Sequence, residues 1–129
     1  MSRPFGPDNT PYDAIGGESR VRALADAFYD RVEHDSPLMK TLHPPDLTES
    51  REKFFEFLSG WLGGPPIYMQ KRGHPRLRMR HAPFPIDENG VSEWLRCMRG
   101  AMDELGVDGD LRVFLEERFT HTAEFMRNR

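Results

Sequence analysis

Apolar residues recur at the three- and four-residue spacing of an amphipathic helix in four long stretches of the chain. The first covers residues 19–34, and the second follows Thr48, which we predict to be its N-cap. The third follows the cap residue Asp87, and the fourth begins at Asp110 and is expected to turn Phe125 inward. No segment alternates apolar and polar residues between turn signals. The pattern therefore predicts an all-α protein with four main helices.

Proline and glycine divide the remaining sequence. Residues 1–11 hold three Pro and one Gly, which predicts a flexible lead-in before a single domain over residues 12–129. Residues 65–75 also hold three Pro and one Gly and are expected to be mostly irregular. Proline on both sides leaves room for one very short helix, over Pro75 to Ala82.

Composition narrows the class of protein. The chain has 129 residues, of which 37% are hydrophobic and 30% charged, and its mean hydropathy is −0.69. No stretch reaches the roughly 20 apolar residues of a membrane-spanning helix, and residues 1–11 lack the apolar core of a secretory signal. Nine Phe and seven Met are nevertheless too many large apolar residues for a disordered chain. We expect a folded cytoplasmic protein without a membrane partner.

Charge and cysteine content exclude several functions. Eighteen basic against twenty-one acidic residues give a net charge of −3, which offers no general attraction for nucleic acid. The single cysteine, Cys97, cannot form an internal disulfide and fits a reducing compartment. The common phosphate-loop, dinucleotide-binding and zinc-protease motifs are absent from the sequence.

The very short predicted helix is the unusual feature of the sequence. Two turns are too few for a stable isolated helix, so something else must hold it. Residues 71–81 carry five Lys and Arg and no acidic residue. They could form a solvated basic loop, an anion or nucleic-acid patch, or the ligand segment of a cofactor with His81 as the donor.

The residues around His81 limit what a cofactor could be. The basic segment lacks aromatic residues for stacking on bases, which disfavours nucleic acid. A zinc site built from His74 and His81 would need further Cys or acidic ligands nearby, and the segment has none. A cofactor that brings four nitrogen donors of its own needs only one protein ligand, and haem is the obvious example.

Five stretches together resemble the truncated haemoglobins, and within them group II, over nearly the whole chain. They are YDAIGG at 12–17, AFY at 27–29, WLGGP at 61–65, GHPRLRMRHAPF at 73–84 and Trp94, which follows His81 by thirteen residues. The Gly-Gly pair alone is a weak signal, whereas the long run with a tryptophan at this distance is specific.

The resemblance implies a truncated globin fold, in which a two-over-two helical sandwich surrounds haem b (iron protoporphyrin IX). His81 matches the proximal iron ligand, and its second ring nitrogen is expected to donate to a backbone carbonyl. The iron bond would then hold the short helix.

The distal side of the haem is also expected to carry the family's polar residues. Tyr29 and Trp94 match the tyrosine and tryptophan that donate hydrogen bonds to the bound ligand. His43 lies where relatives vary and would be a third polar group, whereas Ser50 leaves room near the iron. Phe54 would line the same pocket. Without the resemblance, Tyr29 is better explained as a core residue with its hydroxyl at the surface, and by periodicity alone Trp94 is simply a core residue.

Further residues are assigned to the haem surface and its carboxylates. The expected haem contacts are Phe57, Leu77, Met98 and Phe84. The expected propionate partners are Lys53 and Arg78, followed by Tyr68 and Arg80.

The function implied is reversible binding of dioxygen, NO or CO at ferrous iron, for oxygen binding and transport or for redox handling of the ligand. The alternative enzyme would detoxify NO or peroxide and would need a separate reductase. An alternative of another class is a haem-free helical interaction module that uses the basic segment 71–80. Monomer and homodimer both fit the sequence.

Overall fold

Eight helices form the part of the chain that the computed structural model describes, residues 5–6 and 8–129. Within those residues no strand forms, and Gly6 and Asn9 make only an isolated bridge, so the all-α prediction is confirmed. Residues 1–4 and 7 of the predicted lead-in lie outside the described residues. The helices are α1 (Pro11–Ile15), α2 (Glu18–Asp35), α3 (Pro37–Thr41), α4 (Thr48–Trp61), α5 (Ile67–Arg72), α6 (Leu77–His81), α7 (Glu88–Glu104) and α8 (Gly109–Met126).

Helix α2 is the centre of the core. Its side chains Val21, Leu24, Phe28 and Val32 recur at helical spacing and are almost completely buried. This apolar stripe packs against both α4 and α7, and α7 also packs on α8. The four long helices thus form the pairs α2–α4 and α7–α8. None of the helices in the described residues has the length and apolar character needed to cross a membrane.

The Gly63-Gly64 pair lets α1 lie across the end of α4. A Cβ atom on Gly64 would stand only 2.3 Å from Cδ2 of Tyr12, so any side chain there would collide with the ring. The amide of Tyr12 donates to the carbonyl of Leu62 over 2.9 Å. Gly63 has φ +93, a left-handed conformation that glycine adopts without strain.

Several helix boundaries differ from the sequence prediction. Thr48 was expected as the N-cap of α4, but it is the first helical residue, and Leu47 holds the cap position. The Asp46 carboxylate accepts from the Thr48 amide over 2.9 Å and so supplies the polar contact that Leu47 cannot make. Helix α8 starts at Gly109, one residue before the expected Asp110. The very short helix covers only Leu77–His81.

Two further expectations were wrong for reasons of tertiary structure. Residues 65–75 were expected to be irregular, yet Ile67–Arg72 form α5, which packs against α4. Phe125 was expected to face inward, but its ring is 52% exposed. The Arg78 guanidinium carbon lies 5.5 Å from the centre of that ring, so a cation covers it instead of the core.

A buried carboxylate explains why α5 forms despite its proline-rich surroundings. The Glu56 side chain on α4 is fully buried and accepts from Arg72 Nε at 2.7 Å and from Lys71 Nζ at 3.3 Å. Burial alone would raise the pKa of Glu56, but the hydrogen bonds from Arg72 and Lys71 outweigh it and lower the pKa. The ion pairs of Glu56 with Lys71 and Arg72 therefore link α5 to α4, and they require the charged form of Glu56.

Substituting Glu56→Gln should reduce the free energy of unfolding at pH 7 by about 1 to 3 kcal/mol, because hydrogen bonds to a charged group are lost. Since the folded-state pKa of Glu56 is lowered, its stabilisation is present above the unfolded-state pKa and is lost as the pH falls below it. Denaturant unfolding between pH 7 and pH 3 should thus show a weaker acid dependence in Glu56→Gln below about pH 4.5. The exposed Glu117→Gln should retain the wild-type pH profile, and parallel profiles for wild type and Glu56→Gln would contradict the argument.

Candidate functional site

The site is a cavity of about 410 Å³ between the two helix pairs. This volume falls in the range of small-molecule pockets, and most of the side chains that line it are apolar or aromatic. The predicted site residues that line it are Tyr29, His43, Ser50, Lys53, Phe54, Phe57, Tyr68, Leu77, Arg80, His81, Phe84 and Trp94.

His81 is the last residue of α6, and one of its ring nitrogens is already hydrogen-bonded within the helix. Its Nδ1 lies 2.6 Å from the carbonyl oxygen of Leu77, one turn earlier in the same helix. Because a carbonyl can only accept, Nδ1 carries a proton and donates, so the neutral form of this imidazole has its lone pair on Nε2. The imidazole is half-buried and lines the cavity. His81 therefore has the tautomer and the fixed ring of a histidine that ligates a metal through Nε2.

The start of α6 has an unusual backbone. Arg76 has φ 47 and ψ 53 and is the non-glycine residue with positive φ in the described part of the chain. Its amide donates to Nδ1 of His74 over 3.0 Å, which supports this left-handed turn. His74 is exposed and does not line the cavity. The two histidines of the basic segment thus do different things, since His74 stabilises the turn while His81 faces the cavity.

Tyr29 on α2 lies among aromatic rings on another wall of the cavity. Its ring meets those of Phe28, His43 and Phe54 edge-on, with centroids 5.1, 5.5 and 5.7 Å away. Burial raises the pKa of the Tyr29 hydroxyl to about 12, although the charge of Arg51 opposes the shift. The phenol therefore stays protonated near neutral pH and remains a hydrogen-bond donor.

Trp94 on α7 completes this aromatic wall. Its ring lies 5.2 Å from that of Phe28 and 6.4 Å from that of Phe54. Among the described residues, neither the Trp94 indole N–H nor the Tyr29 hydroxyl has a hydrogen-bond partner, and both residues line the cavity. Such donors usually find a partner when they are buried. Two of the cavity's donors are thus available to a ligand.

His43 lines the cavity too, and its tautomer is fixed in the same way as that of His81. Its Nδ1 donates to the carbonyl of Met39 over 2.7 Å. Burial lowers the pKa of His43, and the hydrogen bond to Met39 opposes this only in part. His43 is therefore neutral near pH 7, with Nε2 free to accept.

The charged residues of the cavity lie among those expected at the propionates. Lys53 and Arg80 both line it, and Lys53 Nζ also pairs with Glu49 at 2.9 Å. Tyr68 lines it as well and is almost fully buried. Arg78 does not line the cavity and instead lies over the exposed ring of Phe125.

One expected contact lies outside the cavity, and several residues that line the cavity were not predicted as site residues. Met98, an expected haem contact, is fully buried in the core but does not line the cavity. Phe28 does line the cavity, but the sequence analysis indicated it only as a core residue of the α2 stripe and as part of the AFY stretch. The end of α8 closes the cavity as well, and the helical spacing that turns Met126 inward was the only sign of that contact in the sequence. The additional lining residues are Phe28, Met39, Leu42, Pro44, Pro75, Ile86, Gly90, Val91, Thr122, Ala123 and Met126.

Comparison with known proteins identifies the class to which this fold and site belong. The sequence profile of the family described as bacterial-like globin matches residues 10–128, so the chain belongs to that family. It is 48% identical over 120 residues to the group 2 truncated hemoglobin YjbI of Bacillus subtilis (strain 168), covering 93% of this chain and 89% of the relative.

Solved structures agree with this assignment. The truncated oxygen-avid haemoglobin from Bacillus subtilis superposes with a TM-score of 0.88 at 48% identity, covering 93% of this chain and 100% of that one. A group II 2-on-2 hemoglobin from Agrobacterium tumefaciens has a TM-score of 0.89 at 41% identity, with 99% and 98% covered. The predicted two-over-two globin fold and group II resemblance are therefore confirmed.

Membership of this family implies that the chain binds haem and, through it, diatomic ligands. The cavity fits such a group. The described residues contain no cluster of three or more His, Cys, Asp or Glu that could hold a metal ion. Two imidazoles, those of His81 and His43, are too few to hold a metal ion on their own, so a mainly apolar cavity with basic residues in its lining instead suits a metal held by a large ring of its own.

The left-handed turn at Arg76 gives a test of how α6 is set up. Arg76→Val should lower the free energy of unfolding by about 1 to 2 kcal/mol, because a β-branched residue is strained at positive φ. Arg76→Gly should be neutral or stabilising, since glycine adopts this conformation readily. Thermal or denaturant unfolding measures both.

Met79→Val provides the control, because Met79 is 60% exposed and lies within α6 with ordinary helical geometry. It should cost only about 0.5 kcal/mol, the difference in helix propensity. Equal losses for the valine variants at 76 and 79 would show that the left-handed turn does not matter.

Proposed function

We propose that the chain holds haem b with His81 as its axial ligand and binds dioxygen and other diatomic ligands reversibly. One observation supports this most directly. The free Nε2 of His81 shares a cavity with two hydrogen-bond donors, on Tyr29 and Trp94, that have no partner among the described residues. The Nε2 lone pair would bind the haem iron, and the two donors would form hydrogen bonds with the diatomic ligand.

When bound, the haem iron supplies the electron-rich centre at which a diatomic ligand coordinates. The protein contributes the rest. The Leu77 carbonyl holds the ring of His81 and increases the basicity of Nε2 through the hydrogen bond at Nδ1. The mainly apolar walls lower the local dielectric constant, which would strengthen the polar contacts inside the site.

Tyr29 and Trp94 would stabilise a ligand that gains negative charge. A hydrogen bond to a neutral acceptor contributes about 1 kcal/mol net, and one to a charged acceptor about 1.5 to 3 kcal/mol. Two such donors in a dry site favour tight binding and slow release. His43 has Nε2 as an acceptor and its ring edge-on to that of Tyr29, so it helps to orient the phenol.

We assign the propionates to Lys53 and Arg80, the two cations that line the cavity, with the Tyr68 hydroxyl as a further contact. Arg78 is a weaker candidate than the sequence suggested, because its guanidinium lies over Phe125. Exposed charge pairs contribute little, about 0 to 1 kcal/mol each, so these residues would orient the haem more than retain it.

The alternative of a haem-free interaction module on segment 71–80 has less support. Lys71 and Arg72 are already paired with the buried Glu56 inside the fold. Arg80 lines the cavity, and Arg78 packs on Phe125. Four of the five basic residues of the segment thus pair within the fold, pack on a ring or line the cavity.

Redox turnover of NO or peroxide is the second candidate, and the polar distal wall favours it over bulk oxygen delivery. Slow release keeps a ligand in place long enough to react. Turnover would require electrons from a separate reductase. Sustained consumption of NO or peroxide in the presence of a reductant would therefore distinguish the enzyme from a protein that only binds oxygen.

The haem assignment predicts a Soret band when the purified protein is reconstituted with haem. Spectra of the ferric, ferrous and ferrous-CO forms should indicate histidine ligation and an accessible sixth position. His81→Gly should lose haem far faster than wild type, and added imidazole should restore the spectrum. His74→Gly should retain haem nearly as well as wild type. A wild-type protein without a Soret band, or equal losses at both histidines, would overturn the assignment.

Tyr29→Phe and Trp94→Phe should each raise the oxygen dissociation rate by about fivefold to a hundredfold, because one donated hydrogen bond is lost. Stopped-flow measurement of oxygen release from the ferrous protein tests this. Tyr12→Phe, which makes the same chemical change outside the cavity, should leave the rate unchanged. Wild-type rates in both distal variants would mean that neither group donates to the ligand.

A further inference from the structure

The side chain of Asn128, beyond the end of α8, is bonded at both ends of its carboxamide. Its Oδ1 accepts from the amide of Ile86 over 2.9 Å. Its Nδ2 donates to the carbonyls of Phe84 and His81, over 2.9 and 3.3 Å. One half-buried side chain thus contacts three backbone groups in the segment 81–86, which begins with the expected iron ligand.

The backbone strengthens the same contact. The amides of Asn128 and Arg129 both donate to the carbonyl of Ile86, over 2.9 and 3.1 Å. The two segments therefore lie side by side although 42 residues separate Ile86 from Asn128. This is a tertiary connection between the end of α8 and the chain that leaves α6.

The segment 81–86 has few other means of fixing its backbone. Pro83 and Pro85 have no amide hydrogen to donate. Helix α6 itself contains no buried residue among its five. Two residues of the segment, Phe84 and Ile86, also line the cavity beside His81. A contact that fixes this backbone therefore fixes one wall of the cavity.

We infer that Asn128 is a positioning residue for His81. It holds the carbonyl end of that residue and the following turn, so that the imidazole keeps its direction into the cavity. The inference rests on the proposed haem function. Asparagine suits the task because the contact needs an acceptor for the Ile86 amide and a donor for two carbonyls at once.

The test uses Asn128→Asp and Asn128→Ala in the haem-loaded protein. Asn128→Asp keeps the shape and the acceptor but removes both donated hydrogen bonds and places a carboxylate against two carbonyls. We expect haem transfer to an apoglobin acceptor to become about tenfold faster in both variants, the equivalent of about 1.4 kcal/mol. The iron–histidine stretching band of the ferrous, ligand-free protein should shift or broaden in resonance Raman spectra.

Two further variants keep the inference falsifiable. Asn128→Ser retains one small group that can donate or accept and should fall between wild type and Asn128→Ala, which protects the test if either larger change prevents folding. Asn89→Ala, on the exposed first turn of α7, is the control and should behave as wild type.

Each result decides the question. An unchanged iron–histidine band and haem transfer rate in the Asn128 variants would overturn the inference. A lower unfolding temperature with an unchanged band would also overturn it, since Asn128 would then only stabilise α8. If the wild-type protein does not bind haem, no Soret band will appear. That result would refute the proposed function, and it is distinct from a wild-type protein that binds haem while the Asn128 variants behave like it.

Discussion

The hydrogen bond from His81 Nδ1 to the Leu77 carbonyl determines what chemistry the cavity can perform. It leaves one nitrogen lone pair available and gives the ring a fixed direction, while the other walls are mainly apolar. A lone imidazole cannot build a metal centre, but it can complete one that arrives with most of its ligands. The hydrogen bond between His43 Nδ1 and the Met39 carbonyl fixes a second imidazole in the cavity in the same way, beside the tyrosine.

Charged side chains either lie at the cavity lining or are paired with opposite charges where they are buried. The fully buried carboxylate of Glu56 points to the α4–α5 contact, where Lys71 and Arg72 neutralise it. The cations of the site, Lys53 and Arg80, have long side chains that bring charge to the cavity lining. Within the cavity the polar groups are mostly neutral donors and acceptors, which respond to a ligand's charge without the cost of burying their own.

The long helices could be predicted from sequence because each buries an apolar stripe with the helical period, as Val21, Leu24 and Phe28 show. Helix α5 could not, since the stabilising partner of Lys71 and Arg72 lies about fifteen residues away on another helix. The left-handed turn at Arg76 was equally hidden, because the residue is not a glycine. The roles proposed for Tyr29 and Trp94 came only from family resemblance, because periodicity alone indicates core residues at both positions. Asn128 was missed because its partners are backbone groups far away in sequence.

The two sides of the cavity differ in stiffness. Tyr29 and Trp94 lie on α2 and α7, which are 18 and 17 residues long and carry many of the core side chains. His81 lies on a five-residue helix without a buried residue, held by its own hydrogen bonds and by the chain beyond α8. Elements with few buried contacts deform at low free-energy cost. A change in the size or electronic state of what is bound would therefore be absorbed on the His81 side, while the donors opposite keep their positions.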